Sequence, residues 1–260
     1  MDALISPLEI SQNLNKYRIV DLRPYHDYSI SHVKGAVHAP INPLLSDENY
    51  NLINIHHFIS LMSALGINNS TEIIVYDNNQ NKSSSLFWYM MKHYGHKKNI
   101  FVLDGGWGSA SKLSLSKDPV AIPFTYYTPT VTKGYVYYLT DFINNFTNVK
   151  ILDTRSKQEW NGETFYGNPR IGRIPGAIFI EFSKFLPSGP NHTFAAKETL
   201  QEEASKAGLL KNDKILIYCQ HGARASLAGL ALRSIGYENV IVYEGSMYEW
   251  SRHKALMLEI

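Results

Sequence analysis

Lys214-Ile215-Leu216-Ile217-Tyr218-Cys219-Gln220-His221-Gly222-Ala223-Arg224-Ala225-Ser226 is an apolar run that breaks at a cysteine into a short polar loop. Ile215 to Tyr218 predicts a buried strand, and Leu227, Leu230, Ala231 and Leu232 predict a helix that opens at Ala225. Cys219 is the sole cysteine of the chain and sits where strand becomes loop. In an α/β sheet this is the carboxyl end of a strand facing a helix N-terminus, where such folds bind ligands. A loop containing Gly222 can aim several backbone N–H groups at one point, and the helix dipole adds positive potential. A thiol placed there ionises readily, and the same donors stabilise an anion on its sulfur. Most lone cysteines are small buried hydrophobes. A core cysteine, however, needs neither the following Gly222 nor Arg224, so the reactive reading is preferred.

Outward from this stretch, the chain is one unit written twice. Tyr17-Arg18-Ile19-Val20-Asp21-Leu22-Arg23 matches Val149-Lys150-Ile151-Leu152-Asp153-Thr154-Arg155, and His32-Val33-Lys34-Gly35-Ala36-Val37 matches Arg173-Ile174-Pro175-Gly176-Ala177-Ile178. Glu72 to Asp77 then matches Lys214 to Cys219, and Ile100 to Gly105 matches Val240 to Gly245. The offsets run 132, 141, 142 and 140, which places a nine-residue insertion between Asp153 and Gly176. Four matched segments in one order indicate a duplication. In each half, short apolar strands alternate with amphipathic helical stretches. Leu61, Met62, Leu65 and Leu86, Tyr89, Met90, His93 mark helices in the first half. Thr199 to Leu210 and Leu227 to Ile235 do so in the second, with Gly208 and Gly236 as helix stops. The expected fold class is α/β, two tandem domains, each a parallel sheet flanked by helices. Residues 1–116 form the first domain, 117–132 an aperiodic linker, and 133–260 the second domain.

The totals fit this reading. The 260 residues suffice for two domains, and 44% hydrophobic with 18% charged residues describes globular protein. A net charge of +2 gives no basic or acidic bias toward nucleic acid or a membrane surface. One cysteine excludes an intrachain disulfide, the N-terminus does not resemble a signal peptide, and no apolar run approaches a spanning helix. The expectation is a cytoplasmic monomer.

Cys219 to Arg224 has the form Cys-x-x-Gly-x-Arg and resembles the six-residue active-site loop of rhodaneses, sulfurtransferases that carry sulfur as a cysteine persulfide. The duplicated segments resemble tandem members of that family across the whole chain. The resemblance implies two rhodanese-like domains and a sulfurtransferase. Its Cys219 would take sulfur from thiosulfate or 3-mercaptopyruvate and pass it to a thiol or cyanide acceptor, a thioredoxin-like protein among the candidates. The persulfide would rest in a cradle of N–H groups from Gln220, His221, Gly222, Ala223, Arg224 and Ala225. No cofactor and no metal is implied. Asp77 stands at the cysteine position of the first half, where Asn78-Asn79-Gln80-Asn81-Lys82 replaces Gln220 to Arg224, so the first domain is expected to be catalytically inactive.

Glu159 is the expected ion-pair partner of Arg224, as in many bacterial members. Asp153 and Arg155, repeated as Asp21 and Arg23, are expected to pin a strand end, with contact from Arg155 to substrate a lesser alternative. Arg170 and Arg173, in and after the insertion, are candidates for binding the anionic part of the donor, although solvated loop charges are the commoner outcome. His221, beside the nucleophile, is a candidate proton donor or partial cation. Two alternatives stay open: a partner-dependent sulfur carrier, and a cysteine phosphatase or arsenate reductase-like enzyme, whose similar cradle has one more residue between Cys and Arg.

Overall fold

The computed structural model describes residues 3–11, 13–39, 52–186 and 192–260. These fall into two compact units, residues up to 132 with 192–193, and residues 133–186 with 194–260. The expected linker run 117–132 packs with the first unit.

The first unit contains β1 (Leu4–Ile5), α1 (Pro7–Ile10), β2 (Arg18–Asp21), α2 (Tyr25–Ile30), β3 (His32–Val33), β4 (Ala36–His38), α3 (Ile55–Ala64), β5 (Ile73–Tyr76), α4 (Lys82–His93), β6 (Ile100–Leu103), α5 (Gly106–Ala110) and β7 (Leu115–Ser116). Its main sheet is parallel, in the order β1-β6-β5-β2-β4, while β3 and β7 pair antiparallel. Every residue of β5 is buried, as expected of a parallel strand covered on both faces. Tyr127 of the 117–132 run is buried between Phe58, met edge-on at 5.1 Å, and the His96 ring, stacked at 5.8 Å. The Thr130 N–H bonds the Tyr94 carbonyl. Gly95, at φ +80°, permits this approach, since a Cβ there would collide with the Thr130 carbonyl oxygen.

The second unit contains β8 (Val136–Tyr137), α6 (Leu139–Asn145), β9 (Lys150–Asp153), α7 (Lys157–Trp160), β10 (Ile178–Phe179), α8 (Lys197–Lys206), β11 (Ile215–Tyr218), α9 (Ala223–Ser234), β12 (Val240–Tyr243) and α10 (Ser246–Trp250). Its sheet is parallel in the order β10-β9-β11-β12-β8. Read from the other edge, this is the strand order of the first unit, element for element. Gly208 and Gly236 follow the last helical turns of α8 and α9 with φ of +71° and +91°, the left-handed C-terminal stop.

The repeated Asp-x-Arg explains itself in both units. Asp153 pairs in register with Tyr218, whose hydroxyl donates to Asp153 Oδ2 at 2.6 Å. Arg155 donates to both oxygens of the same carboxylate and, at 3.0 Å, to the Gly172 carbonyl. Asp21, Tyr76 and Arg23 repeat the arrangement, with the Ser31 carbonyl in place of Gly172. Each carboxylate is fully buried, and a buried charge persists only when paired and hydrogen-bonded. The triad ties the central strand to its neighbour and to the segment after it.

Candidate active site

Cys219 directly follows β11 and is 1% exposed. The chain beyond it is held from α10: Met247 N–H donates to the Cys219 carbonyl and Tyr248 N–H to the Gln220 carbonyl, both at 3.1 Å. The Cys219 N–H donates to Ser246 Oγ at 3.2 Å, and that hydroxyl donates to the Tyr243 carbonyl. Ser246 adopts φ +49°, a left-handed conformation costing roughly 1–3 kcal/mol for a side-chain-bearing residue and tolerated where surroundings fix it. Gly106 takes the same conformation in the first unit, where Trp107 N–H donates to the Asp77 carbonyl.

Gly222 adopts φ +82°, which glycine reaches without Cβ strain, and caps α9. The helix therefore opens at Ala223, two residues before the expected Ala225, and Arg224 lies in its first turn rather than in the loop. The first helical bond runs from Ser226 N–H to the Gly222 carbonyl at 2.8 Å. The N–H groups of Ala223, Arg224 and Ala225 precede it and have no intrahelical acceptor. Gln220 is buried, and its side-chain amide exchanges two hydrogen bonds with Asn168, at 2.9 and 2.6 Å. Asn168, from the insertion, escaped the sequence reading; a Gly-Asn-Pro turn carries no signal for a partner 52 residues on.

Arg224 donates to both oxygens of Glu159, at 2.6 and 3.1 Å. Glu159 also accepts from the Ser156 N–H and hydroxyl, closing a Ser-x-x-Glu capping box on α7. Burial alone would raise the Glu159 carboxyl, but the bonds from Arg224 and Ser156 hold it below the usual carboxylate range. Burial works against the charge on Arg224 too, and Glu159 together with the nearby Cys219 reverses that, raising the guanidinium above its ordinary value. The His221 ring lies 5.2 Å from the Tyr248 ring. Burial, reinforced by the Arg224 and Arg252 charges, lowers His221 to about 4, so at neutral pH it is an uncharged imidazole rather than a partial cation.

The two arginines that were candidates for binding the donor anion make other contacts. Arg170 donates to the Ser251, Leu256, Trp250 and His253 carbonyls and staples the C-terminal segment to the insertion. Arg173 lies 4.5 Å over the Trp160 ring, bonds the Trp160 carbonyl, and pairs through its backbone with Glu259 in both directions. Arg170 thus gives four bonds to carbonyls, whereas the Arg173 guanidinium gives one.

In the first unit Asp77 follows β5 as Cys219 follows β11. Its Oδ1 accepts from the Asn79 and Asn81 N–H groups at 2.8 and 3.0 Å, and its Oδ2 from the Ser84 N–H and hydroxyl at 2.7 and 2.9 Å. The loop is one residue longer than its counterpart, because α4 opens at Lys82. Asn81, at φ +59°, stands in the helix-capping place of Gly222, which the pairing of Asn78–Lys82 with Gln220–Arg224 did not anticipate. Asparagine tolerates this conformation better than most residues.

The Rhodanese-like domain family model matches residues 6–112 and 138–253. A Mycobacterium tuberculosis protein provisionally named thiosulfate sulfurtransferase is 30% identical over 96% of this chain and 94% of its own length. The sulfur carrier protein TtuD of Thermus thermophilus is 27% identical over 96% of this chain and 93% of its own. Among solved structures, an anaerobic ergothioneine biosynthesis enzyme from Chlorobium limicola is similar in fold, with a TM-score of 0.88 at 20% identity, covering 99% of this chain and 70% of that one. Both duplicated halves fall within the family match, and the chain belongs to the rhodanese family.

Proposed function

We propose that this protein is a sulfurtransferase that carries sulfane sulfur on Cys219. The observation that carries the reading is the contrast between the two loops. In the first unit the loop and helix N–H groups converge on the Asp77 carboxylate, so a loop of this design suits an anion held at the end of the central strand. In the second unit a thiol stands at that position, facing a loop hinged at Gly222 and braced by Glu159. The Cys219 thiolate attacks the outer sulfur of thiosulfate; the S–S bond of the donor breaks and sulfite leaves with the electron pair. With 3-mercaptopyruvate the C–S bond breaks, and the resulting enolate takes up the proton of the donor thiol to give pyruvate. The persulfide anion rests against the loop donors. Cyanide or a thiolate then attacks its outer sulfur and the Cys219 thiolate departs. The first unit has no thiol at this place and is catalytically inactive, its carboxylate serving the loop as an internal anion.

Transfer through a dedicated protein partner is the second reading, favoured by the similarity to a sulfur carrier protein. The test incubates the protein with each donor and reads intact mass, then thiocyanate or reduced-acceptor turnover. A gain of one sulfur atom that Cys219→Ser abolishes supports the proposal. Turnover with small acceptors supports the enzyme, and loading without turnover supports the carrier. No gain from either donor rejects the persulfide reading.

A further inference from the structure

Buried charges in folded proteins are paired or hydrogen-bonded, and a partly buried one turns its remaining donors to water or to a ligand. Arg18, the first residue of β2, is half-buried; its N–H donates to the Glu72 carbonyl, while its guanidinium has no ion pair or hydrogen bond among the described residues. It lines a cavity of about 380 Å³ at the amino ends of the first unit's strands, with Asn15, Lys16, Lys34, Gly35 and Thr71 among its walls. Lys16 is matched by Glu72 at 2.9 Å. Among the described residues no carboxylate pairs with Arg18 or with the exposed Lys34. Burial lowers the Arg18 guanidinium, the direction expected of a cation without a counter-charge.

The duplicated unit supplies the comparison. Lys150 is the first residue of β9, the counterpart of Arg18, and it is paired: its Nζ lies 2.8 Å from Asp213 Oδ2 and donates to the Gly208 carbonyl at 2.6 Å. The residue matching Asp213 in the first unit is Thr71. Both perform the same local task, for Asp213 accepts the Leu210 N–H and Thr71 accepts the Asn68 N–H. Only Asp213 brings a charge. Gly66 matches Gly208, and a Cβ at Gly66 would come within 3.0 Å of Arg18 Nη2, so the glycine leaves the guanidinium its place.

We infer that this cavity is an anion site, in which a phosphate dianion takes the counter-charge position between Arg18 and Lys34 that Asp213 fills for Lys150. A planar guanidinium fork binds two oxygens of such a group, and Lys34 adds a point charge. The site is independent of the sulfur chemistry.

Titration calorimetry of the full chain at constant ionic strength tests it, with inorganic phosphate and a sugar phosphate as separate probes. One equivalent of inorganic phosphate should bind, and Cys219→Ser should bind equally. Thr71→Asp, which installs the arrangement of the second unit, should weaken binding at least tenfold while raising thermal stability. Arg18→Met should do the same to binding. Binding of the sugar phosphate tenfold tighter than phosphate assigns the site to a phosphomonoester; equal binding assigns it to free phosphate. Absence of binding by either probe, or equal binding by wild type and Thr71→Asp, overturns the inference.

Discussion

Glu159→Gln isolates the ion pair that braces the candidate active-site loop. Glu159 is 2% exposed and Arg224 16%. Removing one partner of a buried pair leaves an uncompensated charge and costs about 3–5 kcal/mol. Glutamine keeps one acceptor oxygen, and Arg224 retains some access to water, so the lower end applies, about 3 kcal/mol. The double variant Glu159→Gln, Arg224→Met removes the stranded charge as well, and should recover about 2 kcal/mol of that loss. The pair also fixes a pH dependence. Glu159 is held below its ordinary value of 4.5, so it binds fewer protons in the folded state than in the unfolded one. Its contribution is complete above pH 4.5 and is lost as pH falls through the lowered folded value. Hydrogen exchange of β11 amides, read by mass spectrometry, reports this unit alone. The wild type should lose protection on acidification below pH 4.5 more steeply than Glu159→Gln. A cost below about 1 kcal/mol for the single variant, or no recovery in the double variant, refutes the reasoning.

Two further predictions concern the first unit. Asp77→Asn places an amide among four donors; its NH₂ meets N–H groups it cannot accept from, and the unit should lose about 3 kcal/mol, read as faster exchange of β5 amides, whereas unchanged exchange would deny the carboxylate its role. His96 is 2% exposed, its Nε2 donating to the Thr71 carbonyl, and burial lowers it to about 4 from 6.5. The unfolded chain therefore binds the proton first, and stability falls as pH drops from 6.5 toward 4, by up to about 3 kcal/mol; a first unit equally stable at pH 7 and 4.5 would contradict this.

What could be read from the residues follows from which constraints are local. A parallel strand buried on both faces has to be an unbroken apolar run, so Ile73 to Tyr76 and Ile215 to Tyr218 announce themselves. The glycine of Cys-x-x-Gly-x-Arg is legible because the conformation at Gly222 excludes most other residues. Glu159 is doubly marked, by the capping box it closes and by its charge. The jobs of Arg170, Arg173 and Asn168 have no such mark. An arginine in a polar insertion has the same sequence signature whether it faces solvent or four carbonyls, and those carbonyls come from residues 80 to 86 positions on. Ser246 in a left-handed turn is equally silent, since its hydroxyl bonds rather than its type hold it there. The early start of α9 was missed because Ala223 and Arg224 look alike as loop or as first turn until the cap is seen.

The duplication turns the molecule into its own control. The Asp-Tyr-Arg triads, the strand order and the left-handed turn at Gly106 and Ser246 are shared, so none of these distinguishes the units. They differ at opposite ends of the same central strand. At its carboxyl end the first unit supplies its own anion, Asp77, while the second presents the Cys219 thiol. At its amino end the second unit supplies its own anion, Asp213, to the cation on the neighbouring strand, while the first leaves Arg18 beside the uncharged Thr71. One side chain at each end thus decides whether a fixed set of donors is satisfied from within or faces a ligand from outside. Because β5 and β11 separate these ends by four residues of buried sheet, the two choices are energetically separate. Thr71→Asp should therefore leave Cys219 loading unchanged, and Cys219→Ser should leave the amino-end cavity unchanged, their effects adding without an interaction energy. A measurable coupling between them would mean that the central strand transmits more than position.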